Sequence, residues 1–249
     1  MPRFFVPLEA IDPERRVITV TGDDAHHIAR SLRMAEGETV VLCDGAGTDY
    51  FCTLERIRDD ASVCRIDSSA PSVSEPPYCV TLYQALVKGE RMEAAVQKSV
   101  EFGVVRIVPF ESSRCIVRAR EGGGENKLIR LRRIAAEAAK QSGRGILPDV
   151  SAPVSFDEML RLASSADLPL FCYENEQTRR LGKCLDDFPF RAGTTASIVI
   201  GPEGGFSPEE AAAAADAGLI PVSLGRRILR TESAAPFVLA ALSSFFELR

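Results

Sequence analysis

Apolar and polar positions alternate in four short runs near the start of the chain: VITV at 17–20, TVVLCD at 39–44, YFCTLERI at 50–57 and SVCRID at 62–67. Alternation with period two marks half-buried strands, and Asp44-Gly45 followed by Gly47 supplies a turn between two of them. Ile28 and Leu32, four apart, predict one helical piece around His26 to Met34. A small β-barrel over residues 1–70 accommodates this pattern. The Ser- and Pro-rich stretch SSAPSVSEPP then reads as a linker, centred on 71–78.

From Tyr78 the period changes to strand alternating with helix, which predicts a parallel sheet covered by helices over 79–249. CVTLYQAL is a strand, followed by a helix from Glu90 to Phe102 with Met92, Val96 and Val100 on one face and Gly103 at its end. VVRIVPF is the next strand and Asn126 to Ser142 the next helix. Ser155 to Glu158 opens another helix as a capping box, before the strand LPLFCYE. The last third runs strand TASIVI, loop GPEGGF, a helix capped by Ser207 and stopped by Gly218, strand VSL, loop GRRILRTES, and a helix from about Pro236.

The chain has 249 residues, 45% of them hydrophobic and 26% charged, as in an ordinary globular protein. Ser233 to Phe246 is free of charge for fourteen residues, short of the roughly 20 that a membrane-spanning helix needs. With no secretory signal pattern at MPRFFVPLEAIDPERR, the expected location is cytoplasmic. The seven cysteines are never spaced Cys-x-x-Cys and lie mostly in apolar runs, which points to buried thiols. With only His26 and His27, adjacent to each other, no metal centre is expected.

Net charge is −5, but it is unevenly spread. Residues 79–150 hold 13 basic against 8 acidic side chains, and Arg114 to Arg144 alone holds nine against three. A polyanion could dock on that segment, and a solvated helix face is the plainer alternative.

Two loops carry candidate chemistry. Gly201 to Phe206 follows a strand and precedes a helix, where open α/β sheets receive ligands, and its three glycines allow close backbone approach, with Gly204 the expected point of contact. It matches neither the dinucleotide-binding nor the P-loop pattern. Leu224 to Glu232 joins three arginines to an Ile-Leu pair. Guanidinium groups suit carboxylate or phosphate, and Ile and Leu suit the faces of a flat ring, unless they merely plug the core.

IGPEGGFSPEE followed by LGRRILRTESA resembles the signature of the ribosomal RNA small-subunit methyltransferase E family, in the SPOUT superfamily. The resemblance extends over nearly the whole chain, through RFFVP, HHIARSLRMAEGETVVLCDG, KGERMEAAVQKSVEFGV and EAAKQSGR. It implies an N-terminal PUA-like β-barrel domain and an α/β SPOUT methyltransferase domain with a trefoil knot. It also implies a homodimer, S-adenosylmethionine as methyl donor, and methylation of N3 of a uridine in 16S rRNA, free or within the small ribosomal subunit. Ribose 2′-O-methylation and a non-catalytic role in ribosome assembly are the alternatives.

Carried over by residue, the resemblance puts the cofactor against Tyr173 and Glu174, against Ile200, Gly201, Pro202, Glu203, Gly204 and Gly205, and against Leu224, Gly225, Arg226, Ile228, Leu229 and Arg230. For catalysis, Arg230 stabilises the uracil oxygens and Glu232 orients it or accepts the proton. Arg3, Arg33, Lys88, Arg114, Arg130, Arg133 and Arg144 are the candidate RNA contacts. Thr231-Glu232-Ser233 stands where the family often has Thr-Glu-Thr, and Gly145 where some relatives carry a polar side chain.

Overall fold

A computed structural model describes residues 1–118 and 124–248. The chain divides into two units, Met1–Glu75 with Ala139–Leu147, and Pro76–Ala138 with the chain from Pro148 onward. The segment Ala139–Leu147, expected inside the second domain, therefore belongs with the first.

In the first unit, strands β1 (Arg3–Phe5), β2 (Ile11–Asp12), β3 (Val17–Thr21), β4 (Thr39–Cys43), β5 (Thr48–Ile57) and β6 (Ala61–Pro71) form one sheet in the order β1-β4-β5-β6-β3-β2. β1 runs parallel to β4 and the remaining pairs are antiparallel. With β1 and β2 at opposite edges, the sheet is a curled half-barrel, the open form of the small β-barrel expected. Register shifts at Phe51/Cys52 and Leu54/Arg56 add twist between its two longest strands. The alternation buries Ile18, Val20, Val40, Leu42, Cys52, Leu54, Cys64 and Ile66 on one face.

The helical piece comes earlier than its apolar spacing suggests. α1 (Gly22–His26) is followed by one π-helical turn, His27–Ser31. Asp23 and Asp24 favour a helix start there, and Arg33, at φ 52, takes the left-handed conformation beyond its end. Ile28 is buried, but Leu32 is exposed. β6 reaches Pro71, so the expected linker begins as strand.

Glu75 closes this unit. Its Oε1 accepts from the backbone N–H of Gly145 (2.9 Å) and Ile146 (3.0 Å), and its Oε2 from Arg144 Nη2 (2.5 Å). Gly145 lies so near Ser72 that a Cβ would come within 2.3 Å of it, which leaves no room for a side chain there.

The second unit is a six-stranded, all-parallel sheet in the order β12-β10-β11-β7-β8-β9. Its elements are β7 (Tyr78–Ala85), α2 (Glu90–Glu101), β8 (Val104–Phe110), α3 (Glu125–Gln141), β9 (Asp149–Val150), α4 (Phe156–Ala163), β10 (Leu168–Cys172), α5 (Leu181–Asp187), β11 (Thr194–Ile200), α6 (Pro208–Asp216), β12 (Ile220–Val222) and α7 (Thr231–Phe246). β10 is buried at every position, as a strand covered on both faces must be. α7 starts at Thr231, five residues before the expected Pro236, which instead sits inside the helix. β12 ends at Val222, which leaves Ser223 and Leu224 to the following loop.

Among the described residues no helix is long and apolar enough to cross a membrane, and no group of three or more His, Cys, Asp or Glu could hold a metal ion.

Candidate active site

The chain leaves the sheet at the carboxyl ends of β10, β11 and β12, and the three exits line one cavity of about 560 Å³. In a doubly wound sheet this is where ligands bind, and the volume suits a nucleoside-sized molecule. Tyr173 and Glu174 come from the first exit, Ile200 to Gly205 from the second, and Ser223 to Arg230 with Thr231, Glu232 and Ala234 from the third. Every residue expected against the cofactor, and both expected catalytic residues, therefore lines this cavity. Arg91, Cys172, Ser223, Thr231 and Ala234 line it as well and were not expected against the cofactor, and so does Arg227, one of the three arginines of the second loop. Arg91 lies inside the KGERMEAAVQKSVEFGV motif, which was the available signal for it.

The second exit is shaped from below. Phe206 is fully buried, with ring centroids 4.2 Å from Phe171 and 6.4 Å from Phe110. Ser207 and Glu210 then cap α6 reciprocally, Glu210 N donating to Ser207 Oγ at 3.1 Å and Ser207 N to Glu210 Oε2 at 2.9 Å. The other oxygen of Glu210 accepts from Ser113 N at 2.7 Å. Gly205, at φ +64, lies under Glu174, so a Cβ there would come within 1.8 Å of Glu174 Oε1. Gly204 is less confined, since a Cβ would meet only Arg114, at 3.4 Å. The glycine of the loop most confined by the protein itself is thus Gly205.

Glu203 accepts from Arg91 Nη1 at 2.7 Å across the cavity rim. Burial works against its charge, but hydrogen bonds from its own backbone N–H, from Arg91 and from the Lys88 backbone N–H outweigh burial and hold its pKa below the ordinary glutamate value.

The third exit is open. Ile228 is 90% exposed, and Arg226, Arg227 and Arg230 are exposed too. Arg230 Nη1 lies 3.9 Å from Glu232 Oε1, while Glu232 Oε2 is buried without a hydrogen-bond partner.

The expected RNA contacts stand in different surroundings. Arg144 is 2% exposed and bound to Glu75, and Arg3 donates to both oxygens of Asp49 at 2.8 and 2.6 Å. Both serve internal carboxylates, contrary to their expected surface role. Arg130 pairs with Glu93 at 2.8 Å, and Arg133 faces Glu137 at 3.7 Å, one turn along α3. Arg114 donates to Gly204 O at 3.1 Å. Arg33 and Lys88 are exposed. Part of the basic Arg114–Arg144 run, positions 119–123, lies outside the described residues.

Comparison with known proteins agrees with this geometry. Residues 74–243 match the RNA methyltransferase domain, and residues 20–67 match the RNA methyltransferase PUA domain. Ribosomal RNA small subunit methyltransferase E of Bacillus subtilis is 30% identical, the alignment covering 100% of this chain and 98% of that protein. The protein of the same name from Mycobacterium tuberculosis is 33% identical over 91% of this chain and 86% of its own. Among solved structures, the Neisseria gonorrhoeae protein of that name, bound to S-adenosyl methionine, superposes with a TM-score of 0.84 at 32% identity, covering 99% of this chain and 98% of the other. A methyltransferase from Legionella pneumophila in complex with the same cofactor gives 0.82 at 32% identity, covering 97% and 96%. Two domain matches in this order, with similarity along the full length, mean that the chain belongs to the ribosomal RNA small subunit methyltransferase E family.

Proposed function

We propose that this chain methylates N3 of a uridine in 16S rRNA with S-adenosylmethionine as donor, and that the cavity at the ends of β10, β11 and β12 is its cofactor site. The observation that carries the reading is the composition of that cavity. Leu224, Ile228 and Leu229 offer apolar walls for adenine, beside backbone groups of the glycine loop. Glu174, Glu203 and Glu232 suit the positive charges of the cofactor, and Arg226, Arg227 and Arg230 its carboxylate.

When bound, the cofactor supplies a methyl already activated on a sulfonium. The chain's own task is to align the uracil and favour loss of the N3 proton. Arg230 stabilises the negative charge that spreads to the uracil oxygens. Glu232 Oε2, buried with a free acceptor position, takes the proton and later returns it to water. Because N3 lies on the pairing edge, the uridine enters unpaired or flipped out.

The remaining parts of the reading follow the family. The first unit binds RNA as a PUA-like domain. The C-terminal segment, in which α7 returns to pack against α2, completes a trefoil knot, and two chains pair as a homodimer in the cytoplasm. Arg33, Lys88, Arg114, Arg130 and Arg133 remain the candidate phosphate contacts. The test is methyl transfer from labelled cofactor to naked 16S rRNA and to assembled small subunits, with the product nucleoside identified. N3-methyluridine is the expected product; a 2′-O-methylated nucleoside, or no transfer to either substrate, would overturn the proposal.

A further inference from the structure

Beneath the cavity, three segments distant in sequence meet through two side chains. Gln84 is fully buried near the end of β7, in register with Ile200 of β11. Its Nε2 donates to Thr231 Oγ1 at 2.9 Å and approaches Ala85 O at 3.3 Å. Thr231, the first residue of α7, donates its hydroxyl proton to Gly201 O at 2.8 Å. Gly201 opens the glycine loop, while the neighbours of Thr231, Arg230 and Glu232, both line the cavity.

The direction of these bonds is fixed by counting protons. A hydroxyl has one proton, and here it goes to Gly201 O, so Thr231 Oγ1 must accept from its other neighbour. Only the amide nitrogen of Gln84 can donate to it. With the amide reversed, Gln84 Oε1 would compete for that proton and face Ala85 O. This orientation leaves Gln84 Oε1 buried without a hydrogen-bond partner in the protein. Burying an unsatisfied acceptor is unfavourable, and an apolar residue would pack there without it. The buried amide therefore has its use in what its nitrogen holds.

We infer that Gln84 and Thr231 form a positioning relay that locks the glycine loop to the start of α7, and so sets where Arg230 and Glu232 stand relative to the cofactor loop. The inference rests on the methyltransferase reading given above. Neither residue need touch substrate. Catalysis depends on alignment to within an ångström, so loosening this link lowers turnover more than it lowers cofactor binding, whose apolar walls, Leu224, Ile228 and Leu229, take no part in the link.

The test compares Thr231→Val, close in shape but without the hydroxyl, with Thr231→Ser, which keeps it. Gln84→Glu is the second variant: the same size, but at neutral pH a carboxylate can only compete for the hydroxyl proton. Thr231→Val and Gln84→Glu are expected to lower kcat at least about tenfold, with the KM for S-adenosylmethionine moving less than about threefold. Thr231→Ser should stay close to wild type. Amide hydrogen exchange at residues 201–206, measured without ligand, should speed up in the first two variants and not in the third. A wild-type kcat in Thr231→Val, an equal loss in Thr231→Ser, or unchanged exchange in Thr231→Val would each overturn the relay. A wild-type chain that transfers no methyl overturns the functional reading instead, and the exchange comparison still decides the relay.

Discussion

The two loops that face each other across the cavity are built in opposite ways. Gly201–Phe206 is held by groups beneath it: a buried phenylalanine among aromatic rings, a reciprocal helix cap, and a left-handed glycine pressed under Glu174. Ser223–Arg230 is fastened at its two ends, where Ser223 N donates to Arg179 O and Ser223 O accepts from Leu181 N, and where Arg230 O accepts from Ser233 N and Ala234 N at the start of α7. Between those ends it presents an exposed isoleucine and exposed arginines. One wall is thus finished before a ligand arrives, while the other keeps apolar and cationic surface that only a ligand would cover. Rigidity in the first wall comes from the core, so changes there should cost stability. Changes in the second should cost binding alone.

The largest expected effect on this contrast is at Phe206. Phe206→Ala removes a fully buried ring and should destabilise the fold by about 3–5 kcal/mol, seen as a large drop in the thermal unfolding midpoint. An unfolding midpoint near wild type would mean that the core does not set the first loop. Gly205→Ala comes next. Its left-handed backbone costs about 1–2 kcal/mol for a residue with a Cβ, and the Cβ also displaces the Glu174 carboxylate. Calorimetry should register a loss of cofactor affinity of at least about tenfold.

At Ile228 the contrast is sharpest. Ile228→Ser should leave stability within about 0.5 kcal/mol of wild type, because the side chain is exposed, yet weaken cofactor binding severalfold. A variant that binds as wild type does would break the ligand-covered reading of the second loop. Smaller still is the joint change Arg130→Gln with Arg133→Gln. Their ion pairs are exposed and worth little, so folding and cofactor binding stay unchanged. If the two side chains meet phosphates, the slope of log affinity for RNA against log salt should flatten by up to about 0.7–0.9 per lost contact.

The least effect comes from acid. Glu203 has a lowered pKa in the folded chain, so its contribution is complete above the ordinary carboxylate range and is lost as pH falls through the lower folded value. Arg91→Met removes one cause of that shift and should slightly reduce the stability difference between neutral and acid solution.

Much of the first loop was legible in the sequence because its causes are local. Glycines after an apolar strand, and Ser207-Pro208-Glu209-Glu210 before an alanine run, each act within a few residues. The start of α7 was not legible. Pro236 reads as a first helical residue, but the helix extends back to Thr231, whose side chain is occupied with Gly201 and Gln84, far away in sequence. Arg144 misled for the same reason. Its glycine-flanked setting looks exposed, but it is buried and bound to Glu75, 69 residues earlier in the chain. The left-handed turn at Arg33 and the open edges of the first sheet likewise depend on pairing that no local pattern encodes.

Amide hydrogen exchange with and without S-adenosylmethionine tests the cofactor site most directly. Residues 224–230 should gain strong protection on adding the cofactor, Tyr173 and Glu174 a smaller gain, and residues 201–206, already held by the core, little change. Protection elsewhere in the chain, with residues 224–230 exchanging as fast as before, would contradict the assignment of this cavity.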